Sequence, residues 1–284
     1  FMKFGIGTAI FIRNYGIIRN NNCYDDLINL FEKFNKRIDL VDTAPSYGNA
    51  EKILGLKKNK KLKIVTKINK LKNKKNKIQE LNFGLKKSLI NLKSKKIYCL
   101  MLHSEEDISL LKNKEIKKEI LDFKKKGIIK KIGISCYNIN QISNYLKIFK
   151  FDVIQFPLNV FSINKKKLDF LYLIKKKYKL EFHIRSIYLQ GLAFGVEKNL
   201  KKKFFYLDKK ISIIKNFCER KKISLVQFYI SALKSINICD YLIVGIKNIN
   251  EYEQIKKNDF IKIEKKFIYS LYLKNQKNLD PRYW

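Results

Sequence analysis

Short apolar runs rich in β-branched residues alternate along this chain with longer amphipathic runs rich in lysine. There are eight of the short runs, and most of them are largely apolar rather than strictly alternating, as expected for strands of a parallel sheet that is covered by helices. The predicted strands cover residues 4–11, 38–42, 62–67, 97–103, 128–135, 153–156, 180–185 and 241–244. The predicted helices cover residues 24–35, 49–56, 77–92, 108–126, 141–149, 165–178, 205–221, 224–235 and 250–257.

Eight strands that are each followed by a helical run predict an α/β fold of the (β/α)8 TIM barrel type. The chain has 284 residues and contains no Pro/Gly-rich linker or low-complexity segment that would separate domains. We therefore expect a single domain over residues 1–284. The alternative is a doubly wound open sheet, but no GxGxxG phosphate loop follows the first predicted strand.

Polar side chains stand where the predicted strands end, and a barrel carries its chemistry at these carboxyl ends. Asp42, Lys67 and His103 end three consecutive strands, and Tyr47 lies in the loop after the first of these. Each residue alone has an ordinary explanation. A strand-end Asp is more often a turn or cap residue than a catalyst, a single lysine usually faces solvent, a lone histidine is usually a strand-end hydrogen bonder, and most tyrosines pack in the core. The four together favour a catalytic site, since a barrel would bring all of them to one mouth.

The motifs around these four residues resemble the aldo-keto reductase superfamily. DTAPSYGNAE contains Asp42 and Tyr47, IVTKI contains Lys67 and LMLHS contains His103, which match the family's catalytic Asp, Tyr, Lys and His. The resemblance continues through GIGTA, KKIGIS, VIQFPLN, IRSIYLQGL and IVGIKN, and so covers nearly the whole chain. It implies a (β/α)8 barrel that reduces a carbonyl group with NADPH or, less often, NADH. The motifs look most like those of compact bacterial members, some of them associated with sugar metabolism.

The chemistry of carbonyl reduction agrees with this set of side chains. A phenol with a pKa near ~10 donates a proton poorly at neutral pH, but a nearby cation lowers a phenol pKa by about 1–3 units. Tyr47 is therefore the predicted acid and Lys67 the cation beside it. Asp42 is expected to hold the ammonium of Lys67 in place, and His103 to donate a hydrogen bond to the substrate oxygen.

The resemblance also implies a set of cofactor contacts: Gly7, Thr8, Ser135, Gln155, Arg185, Ser186, Gly191, Gly245, Lys247 and Gln254. Ser135 and Gln155 match residues that hydrogen-bond the nicotinamide carboxamide. The chain departs from the family at Cys136, where an Asn is expected, and at Arg185, where an aromatic ring usually stacks on the nicotinamide. A guanidinium plane can stack in the same way.

The remaining contacts implied by the resemblance lie along the rest of the cofactor. Ser186 and Gly191 match the loop around the pyrophosphate. Gly245 and Lys247 match the loop around the adenosine 2′-phosphate, where a lysine favours NADPH over NADH. Gln254 is placed near the adenine.

The composition limits the other readings of the sequence. A formal net charge of +37 suggests a polyanion binder, but the positive charge is almost all lysine and is spread along the chain. Arginine is the usual residue for recognising phosphates and bases, so we expect no specific nucleic-acid partner. A third reading is a catalytically weak barrel that binds nicotinamide and acts as a sensor or regulatory subunit.

The cysteines and the hydropathy of the chain bear on its location. The five cysteines form no CxxC pair, so we expect reduced thiols and no metal site. No apolar run is long enough for a membrane span and no signal-peptide layout is present, so we expect a cytoplasmic protein without membrane contact. The expected partner is a small carbonyl substrate, and the expected assembly is a monomer.

Overall fold

The computed structural model describes residues 2–11, 28–29, 31, 39–57, 62–69, 71, 76–246, 249–257 and 260–284. Within these residues, eight parallel strands close into one barrel in sequence order, with β1 hydrogen-bonded to both β2 and β8. The strands are β1 Lys3–Gly7, β2 Leu40–Asp42, β3 Lys63–Ile68, β4 Ile97–Leu102, β5 Ile129–Ser135, β6 Val153–Pro157, β7 Glu181–Arg185 and β8 Tyr241–Val244. The predicted (β/α)8 barrel is therefore confirmed, and the open sheet is excluded.

Nine α-helices of the described residues surround the barrel. They are α1 Ala50–Lys57, α2 Lys77–Asn91, α3 Lys114–Lys125, α4 Ile142–Ile148, α5 Lys165–Tyr178, α6 Phe205–Lys221, α7 Leu225–Ile236, α8 Ile249–Lys257 and α9 Lys265–Ser270. Most of the predicted helix over residues 24–35 lies outside the described residues. Helix α9 was not among the helices predicted from the sequence.

Two predicted elements differ from the structure at points where a side chain hydrogen-bonds the backbone or a neighbouring strand. The first strand ends at Gly7, and Thr8–Phe11 forms a 3₁₀ helix. The predicted helix over residues 108–126 is divided at Asn113, whose side chain accepts hydrogen bonds from the N–H groups of Glu115 and Ile116. This N-cap begins α3 and ends the preceding 3₁₀ helix, so the prediction of one continuous helix is wrong.

The core has two parts, as expected for a barrel inside a ring of helices. The larger cluster lies between the strands and the helices and includes Val41, Ile134 and Leu233. The smaller cluster fills the barrel and contains only strand residues: Leu40, Val65, Cys99, Met101, Val153, Tyr241 and Ile243. The four described cysteines are buried free thiols, and Cys23 lies outside the described residues.

Charged side chains occupy the barrel end where the strands begin. Tyr98 donates to Glu181, which also pairs with Lys131 and contacts His183. His183, the second histidine of the chain, is therefore part of the floor of the barrel, the end of this fold that contributes to stability rather than to chemistry. No helix of the described residues is long and apolar enough to cross a membrane.

Candidate active site

The carboxyl ends of β1 and β2 are tied together by a buried threonine. The Thr8 hydroxyl lies 3.0 Å from Thr43 Oγ1 and 3.2 Å from the carbonyl oxygen of Asp42. Thr8 is fully buried and does not line the cavity described below. Its observed contacts fix the end of β2, from which Asp42 projects.

The Asp42 carboxylate uses both of its oxygens in the buried mouth of the barrel. Oδ2 accepts from Lys67 Nζ at 2.7 Å, and Oδ1 accepts from Gln155 Nε2 at 2.8 Å. Lys67 Nζ also donates to the carbonyl oxygen of Thr43 at 2.9 Å. Lys67 is only 2% exposed, so its ammonium is held by these acceptors with little access to water.

Tyr47 lies in a tight turn between β2 and α1. Its N–H donates to the carbonyl oxygen of Ala44 at 3.0 Å, and its own carbonyl oxygen accepts from Ala50. The centre of its ring lies 4.9 Å from Lys67 Nζ and 5.8 Å from the His103 ring, which it meets edge to face. The structure thus brings together the four residues that the sequence places at three separate strand ends.

Burial and neighbouring charges set the protonation states at this mouth. Burial disfavours the ammonium of Lys67, but Asp42 and then Tyr47 favour it, and the net pKa is raised above the usual 10.5. Burial and then the positive charge of Lys67 lower the pKa of His103 to about 4, although Asp42 opposes this shift. Lys67 is therefore charged at neutral pH, and His103 is a neutral imidazole with one N–H to donate.

A cavity of about 560 Å³ opens beside these residues. Its volume lies within the range that is usual for ligand sites, about 300–1,000 Å³. Eleven of the predicted site residues that are described line it: Asp42, Tyr47, His103, Gly7, Ser135, Gln155, Arg185, Ser186, Gly191, Gly245 and Gln254. Lys67 lies behind Asp42, away from the cavity wall, and Lys247 lies outside the described residues.

The loop after β7 forms one wall of the cavity with an unusual backbone. Ser186, Leu189 and Gln190 have φ angles of 60°, 48° and 55°, and Gly191 follows at 102°. Left-handed backbone at non-glycine residues is uncommon and costs energy, and such positions cluster at ligand sites. The Tyr188 hydroxyl in this wall is buried and has no hydrogen-bond partner among the described residues. An unsatisfied buried hydroxyl next to a cavity is available to a bound ligand.

A stack of side chains packs beside the start of this loop, and two of its members, Tyr137 and Arg282, were not predicted from the sequence. Tyr137 lines the cavity, with the guanidinium carbons of Arg185 and Arg282 at 4.3 Å and 3.9 Å from its ring centre. Glu105 accepts from the Tyr137 N–H at 3.1 Å and pairs with Arg282 at 3.3 Å. Arg185 therefore packs on an aromatic ring of this chain at the position where the family usually has an aromatic ring. No local sequence signal links these residues, which are far apart in the chain.

Cys136, the other departure from the family pattern, lies beside Ser135 at the end of β5. Cys136 is fully buried in the core and does not line the cavity, and burial raises the pKa of its thiol to about 12. It is therefore a neutral packing residue beside Ser135. Gly245 lies close to Ile10 in the cavity wall. A Cβ at this position would lie only 3.2 Å from Ile10 Cδ1, so there is little space for a side chain.

The closed parallel barrel with a cavity at its carboxyl end, where Asp42, Tyr47 and His103 meet, defines a TIM-barrel protein with an enzyme-like site. Residues 3–270 match the family model described as the Aldo/keto reductase family, and the chain belongs to this family. Membership implies an oxidoreductase that acts on carbonyl groups with a nicotinamide cofactor. No curated protein matches the sequence significantly.

Solved structures share the fold at low sequence identity. The glycerol dehydrogenase AKR11B4 from Gluconobacter oxydans is 18% identical, with a TM-score of 0.73 over 94% of this chain and 89% of that chain. The holo form of the aldo-keto reductase AKR11C1 from Bacillus halodurans is 13% identical, with a TM-score of 0.73 over 95% and 91%. The thermostable aldo-keto reductase Tm1743, in complex with the inhibitor epalrestat, is 14% identical, with a TM-score of 0.69 over 94% of each chain.

Proposed function

We propose that this protein reduces an aldehyde or ketone to an alcohol with NADPH, or with NADH, and that Tyr47 is the general acid. The observation that carries the proposal is the buried Asp42–Lys67 pair, whose ammonium lies 4.9 Å from the ring centre of Tyr47. A charged lysine next to a phenol favours its phenolate form, which is what the phenol becomes when it gives up its proton. Positioned proton transfer contributes about 10²–10⁴-fold to a rate.

His103 is proposed to orient the substrate carbonyl. Its imidazole is neutral at working pH because its pKa is lowered to about 4, so it does not compete with Tyr47 as a proton donor. Its remaining N–H can donate a hydrogen bond to the carbonyl oxygen and stabilise the negative charge that develops there. The edge-to-face contact with Tyr47 keeps both donors near one substrate atom.

The cavity residues fit a nicotinamide dinucleotide by their chemistry. Ser135 and Gln155 offer polar groups for the carboxamide. The loop from Ser186 to Gly191, with its several left-handed residues, offers a backbone cradle for the pyrophosphate. The cofactor supplies the hydride that goes to the carbonyl carbon and is itself oxidised. Tyr47 supplies the proton to the oxygen, which balances the reduction to an alcohol.

The cofactor preference and the substrate complete the proposal. We propose NADPH as the preferred cofactor, because Gly245 and Lys247 match by sequence the family residues near the adenosine 2′-phosphate. The substrate is proposed to be a small aldehyde or a sugar-derived carbonyl compound. We further propose that the protein acts as a cytoplasmic monomer.

A cofactor titration followed by a turnover assay tests the function. Purified protein is titrated with NADPH and with NADH, and loss of reduced-nicotinamide absorbance is then followed with a nitrobenzaldehyde. Tyr47→Phe should lose about 10²–10⁴-fold in turnover while it retains cofactor binding. Tyr206→Phe is the matched control, because Tyr206 is 69% exposed on α6, and its turnover should not change.

Each alternative outcome has a distinct meaning. An active Tyr47→Phe variant would remove Tyr47 as the acid. Tight cofactor binding without turnover across a broad carbonyl panel would favour the sensor or regulatory reading. A wild-type protein that binds neither cofactor would refute the proposed function.

A further inference from the structure

We infer that Gln155 is a positioning residue that connects the nicotinamide carboxamide to the Asp42–Lys67 pair, so that cofactor binding organises the proton-donating group. The inference rests on the proposed function and goes beyond it, because a carboxamide contact by itself requires no link to Asp42. The link is the hydrogen bond of 2.8 Å from Gln155 Nε2 to Asp42 Oδ1.

The barrel makes this contact across its interior. β2 pairs with β1 and β3, whereas β6 pairs with β5 and β7, so Gln155 and Asp42 do not lie on neighbouring strands. Strand pairing therefore does not enforce the contact, and the two side chains reach each other by projecting inward. Gln155 is 1% exposed and Asp42 is 4% exposed, so a missing partner here would leave a buried polar atom unsatisfied.

The orientation of the Gln155 amide follows from the chemistry of its partner. An ionised carboxylate only accepts hydrogen bonds, so the amide nitrogen of Gln155 has to face Asp42. The amide oxygen is then the end that remains for a ligand, and Gln155 also lines the cavity. A nicotinamide carboxamide has an NH₂ group that can donate to this oxygen. One glutamine can thus accept from the cofactor and donate to Asp42 at the same time.

The two hydrogen bonds of such an amide reinforce each other. A donor at the oxygen polarises the N–H group and strengthens the bond that this group makes. Asp42 Oδ1 is then held more firmly, and Oδ2 keeps the ammonium of Lys67 near Tyr47. Without the Gln155 donor, Lys67 is the remaining side-chain partner of the Asp42 carboxylate. The carboxylate then draws the ammonium of Lys67 towards itself and away from the phenol of Tyr47.

A cofactor-binding cycle tests the link without any turnover. The dissociation constant for NADPH is measured for the wild type, Gln155→Met, Asp42→Asn and the double variant, with melting temperatures to confirm folding. Because coupling is reciprocal, Asp42→Asn should weaken binding about threefold or more when Gln155 is present. It should have little further effect in the Gln155→Met background. Equal losses in both backgrounds would mean independent contacts and would overturn the inference.

The pH dependence of turnover is the second measurement. Gln155→Met should move the basic limb of the kcat profile to higher pH by about 0.5–1 unit, because Tyr47 loses part of its cationic support. Ser135→Ala is the matched control, since Ser135 lines the same cavity but does not hydrogen-bond Asp42. It should weaken cofactor binding and leave the basic limb in place.

Further outcomes separate the inference from the proposed function. Gln155→Glu keeps an oxygen for the carboxamide but puts a second carboxylate beside Asp42, so it should disturb the pH profile more than the cofactor affinity. A pH profile of Gln155→Met that coincides with that of an active wild type would overturn the inference alone. A wild type that binds neither cofactor would overturn the proposed function and the inference with it.

Discussion

Replacement of Lys67 by methionine tests the energetics of the buried ion pair. Lys67 and Asp42 are joined at 2.7 Å with side chains only 1% and 6% exposed. The substitution leaves the Asp42 carboxylate buried with Gln155 as its remaining partner. Breaking one side of a buried pair costs about 3–5 kcal/mol, because the other charge stays uncompensated. We expect a loss of that size in the free energy of unfolding, measured by urea denaturation at pH 7.5.

A surface pair of the same length provides the control. Lys165 and Asp169 are joined at 2.6 Å within α5, but their side chains are 77% and 57% exposed. Lys165→Met should therefore leave the free energy of unfolding nearly unchanged, because water screens this exposed pair. Adding Asp42→Asn to Lys67→Met should recover about 1–2 kcal/mol, because it removes the unpaired charge.

The pH dependence gives the sign of the effect. The pKa of Lys67 is raised above 10.5 in the folded protein, so its contribution to stability is fully present below pH 10.5 and is lost as the pH rises through the folded value. The cost of Lys67→Met should thus be constant between pH 7 and pH 9. A cost below about 1 kcal/mol, or equal to that of Lys165→Met, would refute the reasoning that burial makes this pair strong.

The remaining predictions concern acid stability and backbone packing. The pKa of His103 is lowered from 6.5 to about 4, so the unfolded chain binds its proton more readily, and stability falls as the pH drops from 6.5 to 4. This loss amounts to at most about 3 kcal/mol, and urea denaturation of His103→Asn should lack that part of the acid sensitivity. Gly55→Ala should destabilise the protein by about 3 kcal/mol or more, because its Cβ would lie 2.0 Å from the carbonyl oxygen of Asn91. Gly84→Ala, in the middle of α2 with nothing within 4 Å of its Cβ, should stabilise by about 0.5–1 kcal/mol in the same assay. An Ala at position 55 that is tolerated as well as one at 84 would contradict the close packing of α1 on α2.

The barrel and the meeting of its strand ends could be predicted from the sequence. Apolar runs alternating with amphipathic runs determine the order of strands and helices, and parallel strands in sequence order bring their carboxyl ends to one mouth. Asp42, Lys67 and His103 end successive strands, so their proximity follows from chain order alone. Tyr47 follows because its loop is too short to carry it away.

Only the tertiary structure decided which partners these side chains have. The Gln155–Asp42 bond and the stack of Arg282 on Tyr137 join residues from distant parts of the chain. No local pattern encodes them, because they depend on barrel closure and on side-chain directions across the interior. The neutral state of His103 likewise follows from burial beside Lys67, a property of the packed mouth. Residue type and order therefore determined which groups reach the mouth, and three-dimensional packing determined their partners and their charges.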